Sequence, residues 1–133
     1  MSGESNLAAL LRSMEPRLHA VEHGYGHLPP EQDLPPGLIA FAVVREAEGV
    51  SVVAPVDVLA WYGVDHVGGW ARISLTVHSD LAAVGLTAAI AAALAGAGLS
   101  ANVIAGYFHD HVLVPWSRRD DAMAALARLS AGS

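Results

Sequence analysis

Apolar residues at Leu7, Leu10, Leu11 and Met14 fall at i, i+3, i+4 and i+7, which is one stripe along a helix. Asn6 precedes the stripe as an N-cap, and Pro16 stops it. Residues 17–25 have room for a short strand. Residues 26–37 hold four Pro and two Gly and read as loop. Leu38 to Arg45 is apolar and β-branched, which predicts a strand. Glu46 to Gly49 then reads as a hairpin turn and Val50 to Ala54 as the returning strand. Pro55 suits the first turn of a helix that reaches about Tyr62. Gly63 to Gly69 reads as a linker. From Trp70 to His78 the pattern alternates. Ile73, Leu75 and Val77 share one face, and Arg72, Ser74, Thr76 and His78 share the other.

The next stretch is Ala-rich, and Ser79 or Asp80 is in position to cap a helix that ends near Gly96 to Gly98. Ala101 to Phe108 predicts a strand, His109-Asp110 a tight turn, and His111 to Val114 the return. Pro115 follows, Ser117 can cap, and Ala122, Leu126 and Leu129 mark a last helix. Strand, hairpin, strand, proline and helix thus occur around Pro55 and again around Pro115, 60 positions later. The second occurrence has the order βαββα. These patterns predict an α+β protein of ferredoxin-like type, with helices on one face of an antiparallel sheet. They divide it into two halves, residues 1–66 and 67–133.

Composition narrows the function. The chain has 133 residues, of which 53% are hydrophobic and 15% charged, so it can fill a core. Its formal charge is −6. All seven basic residues are arginines, and only Arg118 and Arg119 are adjacent, which argues against a nucleic-acid or anionic-membrane surface. The absence of cysteine excludes disulfides, thiolate nucleophiles and cysteine-based metal sites, and fits a cytoplasmic location. No charged residue occurs from Leu81 through His109. That run is too rich in Ala and Gly to favour insertion into a membrane, and Gly96 and Gly98 interrupt it. The start, MSGESNLAAL, lacks a basic segment and a long apolar region and does not read as a signal peptide.

A family resemblance lies in Gly85-Leu86-Thr87, Ile90, Ala93-Leu94, Ala97-Gly98-Leu99 and Val103-Ile104. There the chain resembles the ACT domain family, small βαββαβ modules that bind amino acids and regulate enzymes. It looks like a bacterial subgroup of short tandem ACT proteins. The layout is similar to the paired ACT repeats of aspartokinase and of the animal arginine sensor. The match is strongest over residues 70–129. The first half follows the order of elements and is the more degenerate. The resemblance implies a ligand held between the first strand and first helix of one unit, against the second strand of a neighbouring unit. Carried over, the loop is His78, Ser79, Asp80, Leu81, Ala83, Val84 and Gly85, and the strand segment is Ser100, Asn102, Val103 and Ile104. Val84 stands where the family often has proline. Ser100 stands where it often has asparagine, with Asn102 two positions on and on the same face by alternation.

Physical chemistry supports such a corner. A helix N-terminus carries unpaired N–H groups and a partial positive charge and stabilises an anion by about 0.3–1 kcal/mol. Gly85 allows close backbone approach, and Asp80 can face an ammonium group. The plainer reading is that Ser79 and Asp80 only cap the helix and that Gly85 only packs. The seven histidines invite a metal reading, above all His109 and His111 and the series His19, His23, His27. Gly24, Gly26 and Pro29-Pro30 argue against the helix that would align the series. His109 and His111 flank a turn. His78 and Ser79, adjacent on a strand, point apart and make no catalytic pair. No G-x-S-x-G, P-loop or dinucleotide turn is present.

The expected function is a non-catalytic regulatory protein that binds a small molecule, an amino acid by the resemblance, and uses no metal or cofactor. A homodimer is expected, together with a separate enzyme or regulator as target. Two other readings are a structural interaction module with a vestigial pocket and a small His-dependent metal protein or enzyme.

Overall fold

The computed structural model describes residues 6–77 and 84–132. Its elements are α1 (Leu7–Arg12), β1 (Pro16–Leu18), β2 (His23–Leu28), β3 (Ala42–Arg45), β4 (Val50–Pro55), α2 (Val56–Trp61), β5 (His66–Leu75), α3 (Leu86–Gly96), β6 (Asn102–Ala105), β7 (Asp110–Pro115) and α4 (Arg119–Ala131). A 3-10 turn, Trp116–Arg118, leads into α4. Packing divides the chain into two compact units. The larger joins residues 1–20 to residues 71–133, and the smaller is residues 21–70. The sequential halves 1–66 and 67–133 follow the repeat of elements. Packing instead joins the N-terminal segment to the second half.

In the larger unit, α1, α3 and α4 cover one sheet face. Leu10, Leu11 and Met14 meet Leu86, Ile90 and Leu94 of α3 and Ala122, Ala125 and Leu126 of α4. Beneath them lie Ala71, Ile73 and Leu75 of β5 and Val112 and Val114 of β7. Each fully buried aliphatic side chain contributes roughly 1.5–3 kcal/mol, so the N-terminal stripe is part of the main core. Asn6 caps α1, its Oδ1 accepting from the Ala9 N–H at 3.0 Å. β1 pairs with β5, with Arg17 opposite Ser74 and Leu18 opposite Ile73. β5 neighbours β7, and β7 neighbours β6.

In the smaller unit, the sheet runs β3, β4, β2 and the first part of β5. Where a βαββαβ unit would place its first helix, residues 29–41 form a loop. Pro29, Pro30, Pro35 and Pro36 remove N–H donors and exclude a helix there. Leu34, Leu38 and Ala40 of this loop still pack on Val50, Val52, Ala54, Leu59 and Val64. The repeat is visible in detail. β4 and β7 bury their successive positions in the same order, and each ends at a proline, Pro55 or Pro115, with φ −54°.

Several expected boundaries shift. The Gly63–Gly69 linker is instead strand from His66 onward. There it pairs with β2, with Val67 opposite Tyr25 and His66 opposite Gly26, and the Glu22 Oε2 accepts from the Gly69 N–H at 2.7 Å. The predicted strands Leu38–Arg45 and Ala101–Phe108 shorten to Ala42–Arg45 and Asn102–Ala105. The turn of the second hairpin spans Gly106 to His109, with the Gly106 N–H on the His109 carbonyl at 2.9 Å, and Asp110 already belongs to β7. Ser117 does not cap α4, whose cap position is Arg118. Ser79 and Asp80, expected to cap α3, lie outside the described residues. That helix starts at Leu86 with Gly85 as its cap, at φ +96°. Its far end is a Schellman turn. Gly98, at φ +75°, donates to the Ala95 carbonyl, and the Leu99 N–H donates to the Leu94 carbonyl at 3.0 Å. The buried side chains of Leu99 and Leu94 share the core.

Candidate functional site

Of the expected loop, His78, Ser79, Asp80, Leu81 and Ala83 lie outside the described residues. Val84 is 84% exposed. Gly85 is in the left-handed region, and a Cβ there would meet Leu7 Cδ2 at 3.1 Å. The sequence pattern did not foresee this neighbour, because α1 is more than seventy positions away. The cap residue has no side chain to offer the first-turn N–H groups of α3. On the second segment, Val103 packs on the helix-covered core, while Ser100 and Asn102 are exposed. Asn102 and Ile104 therefore point to the sheet face away from the helices. Gly85, in the helix layer, and Asn102 are on different sides of the sheet.

A second constellation stands on that face. The Ser74 Oγ lies 2.8 Å from His19 Nε2 and 2.7 Å from His111 Nδ1. Ile104 is opposite His111 on the neighbouring strand. His109 Nδ1 is 3.3 Å from the Val77 carbonyl oxygen. Burial first, then the positive charge of Arg72 and the neighbouring His109 and His19, push His111 down to about 4. His111 is therefore neutral at pH 7. Burial also lowers the Arg72 guanidinium from its ordinary value. Ser74 is only 7% exposed. A serine beside an imidazole resembles a nucleophile and its base, but here a second imidazole occupies the same oxygen and the hydroxyl is shielded from a substrate. His111, beside the hairpin turn, is partly buried on β7. Thr76 Oγ1, on the same side of the strand as Ser74, donates to the Glu15 carbonyl at 3.0 Å. Alternation signalled a polar face at Arg72, Ser74 and Thr76, but His19 lies 55 positions from Ser74, beyond any local signal.

Among the described residues, no group of three His, Asp or Glu side chains could hold a metal ion. His23 and His66 bond to backbone carbonyls two residues away, at Val21 and Val64. No helix among them is long and apolar enough to cross a membrane.

This arrangement of strands and helices is a ferredoxin-like α+β fold, and the comparisons agree. ACT domain family models match residues 2–60 and 66–128. A protein of unknown function from Vibrio cholerae, described as a possible transport protein, is 38% identical with a TM-score of 0.80, over 93% of this chain and 95% of that one. A protein from Agrobacterium tumefaciens has a TM-score of 0.72 at 18% identity, over 86% and 87% of the two chains. The regulatory subunit of aspartate kinase from Thermus flavus shares the fold, with a TM-score of 0.63 at 14% identity, over 86% and 95%. No curated protein matches the chain. The chain belongs to the ACT domain family and carries two such domains in tandem. The two family matches follow the sequential halves, although residues 1–20 pack with the second.

Proposed function

We propose that this chain is a non-catalytic regulatory protein that binds a small amino acid and works as a homodimer on a separate target, in the cytoplasm. The observation that carries the reading is the start of α3 in a tandem ACT chain. Gly85, without a side chain, caps the helix and leaves its N–H groups to a carboxylate. The loop of His78, Ser79, Asp80, Leu81, Ala83, Val84 and Gly85 forms one wall of the proposed site. Ser100, Asn102, Val103 and Ile104 form the other. Gly85 and Asn102 are on different sides of the sheet, so the β6 wall serves the site of a neighbouring copy. This is the reason for proposing a dimer.

The test is calorimetry against the amino acids, combined with light scattering. Binding is expected with a dimeric mass. Asn102 is exposed, so Asn102→Ala should leave the melting temperature within about 2 °C, the shift expected for a surface change below 0.5 kcal/mol. It should weaken binding about tenfold, the loss of one hydrogen bond of about 1.4 kcal/mol. Absence of binding by any amino acid, or unchanged affinity in Asn102→Ala with a monomeric mass, would overturn the reading.

A further inference from the structure

The N-terminal segment is tied to the larger unit by little regular structure at its second end. β1 has three residues, and His19 directly follows it, its N–H donating to the Arg72 carbonyl at 2.9 Å. The His19 side chain then reaches the Ser74 Oγ, which also meets His111 on β7. Three segments of the chain are thereby joined through one buried hydroxyl.

That hydroxyl has one proton. With both rings neutral, Ser74 donates to one ring nitrogen and accepts from the N–H of the other, so both bonds are satisfied. A proton added to the accepting ring turns its nitrogen into a second donor. Ser74 then accepts from both sides, and its own hydrogen must find another acceptor in a buried place. The new charge also lies among like charges. Arg72 on β5 and His109 in the hairpin act on His111 electrostatically, and Arg17 on β1 stands opposite Ser74. Asp110, next to His111 and 8% exposed, is the acidic neighbour on β7.

We propose that the His19–Ser74–His111 chain is a proton-sensitive latch, which holds the N-terminal segment on the larger unit at neutral pH and loosens it on acidification. The folded state disfavours a proton on His111, so the latch is complete above the ordinary histidine range. It weakens as pH falls from about 6.5 toward about 4. The latch does not depend on the ligand proposed above.

Hydrogen exchange of the full chain at pH 7.5 and pH 5.0, corrected for the intrinsic pH dependence, tests it. Protection of residues 7–19 should fall about tenfold on acidification, the effect of one unit of difference in proton affinity. Protection within residues 21–70 should change less than about twofold. The double variant His19→Gln with His111→Gln should lose the pH dependence, and Ser74→Ala should raise exchange of residues 7–19 already at pH 7.5. If these variants do not fold, an NMR titration of the unmodified chain decides. The His111 ring and the amides of residues 16–19 should titrate with a common midpoint. Exchange of residues 7–19 that ignores pH, a pH response that survives in the double variant, or separate midpoints would overturn the latch.

Discussion

Replacing Leu10 by alanine should weaken the unit formed by residues 71–132, although residues 21–70 come next in the chain. Leu10 is fully buried against α3 and α4. The change removes three carbons, about 2.4 kcal/mol at about 0.8 kcal/mol each. Incomplete collapse of the resulting cavity adds to this, for a total of about 3–4 kcal/mol, inside the usual range of about 2–5 for such substitutions. Against a domain stability of about 5–15 kcal/mol this is a large loss. Urea unfolding measures the total, and hydrogen exchange measures where it falls. Protection should drop in α3, β7 and α4 at least as much as anywhere else. A loss below about 1 kcal/mol, or one confined to residues 21–70 with α3 and α4 untouched, would refute the assignment of the N-terminal helix to the larger unit.

Other consequences follow from the same geometry. Gly98→Ala should cost about 1 kcal/mol in thermal unfolding. The left-handed φ of +75° strains a Cβ, though nothing stands within 4 Å of one. Gly85→Ala should cost more, because its φ of +96° is combined with Leu7 Cδ2 at 3.1 Å; equal costs would show that Leu7 yields freely. A bulky residue at position 85 would thus disturb folding as well as any ligand, which makes Asn102 the cleaner probe. Stability should also decline as pH falls from 6.5 to 4, because the folded state binds its proton at His111 less readily than the unfolded chain does. Partial solvent exposure limits the decline to about 1–2 kcal/mol. His111→Gln should flatten the dependence measured by urea titration at several pH values, and an unchanged slope would remove His111 as its source.

The legibility of the fold has a physical basis. Leu7, Leu10, Leu11 and Met14 announced a helix because a buried stripe at helical spacing is a local fact. Ile73 and Leu75 announced a buried strand face for the same reason, and Pro55 and Pro115 marked the repeat because proline is tolerated at a strand end and preset for a first helical turn. The resemblance to ACT domains rested on a comparable run of local residues and was correct. The first residues of β5, before Trp70, were missed through Gly68 and Gly69. Glycine has no side chain to reveal a strand, and the partners of this one, β2 and the Glu22 carboxylate on Gly69, lie about 40–50 positions away. The cap of α3 was misplaced because Ser79 and Asp80 are the residues that propensity favours. Gly85 prevails through a positive φ that carries no side-chain pattern.

The sequence by itself therefore determined most of the elements, their order, the faces they bury and the family they belong to, since each is written in spacings of a few residues; the one strand it offered over 17–25 is two, β1 and β2, the second reaching Leu28 in the expected loop. Only the tertiary structure decided that residues 1–20 join residues 71–133 and that α1 stands against Gly85. It alone placed Ser74 between His19 and His111. An apolar or polar periodicity states that a face must be covered or bonded. Which distant segment does so depends on chain reversal and packing, and neither leaves a local period to read.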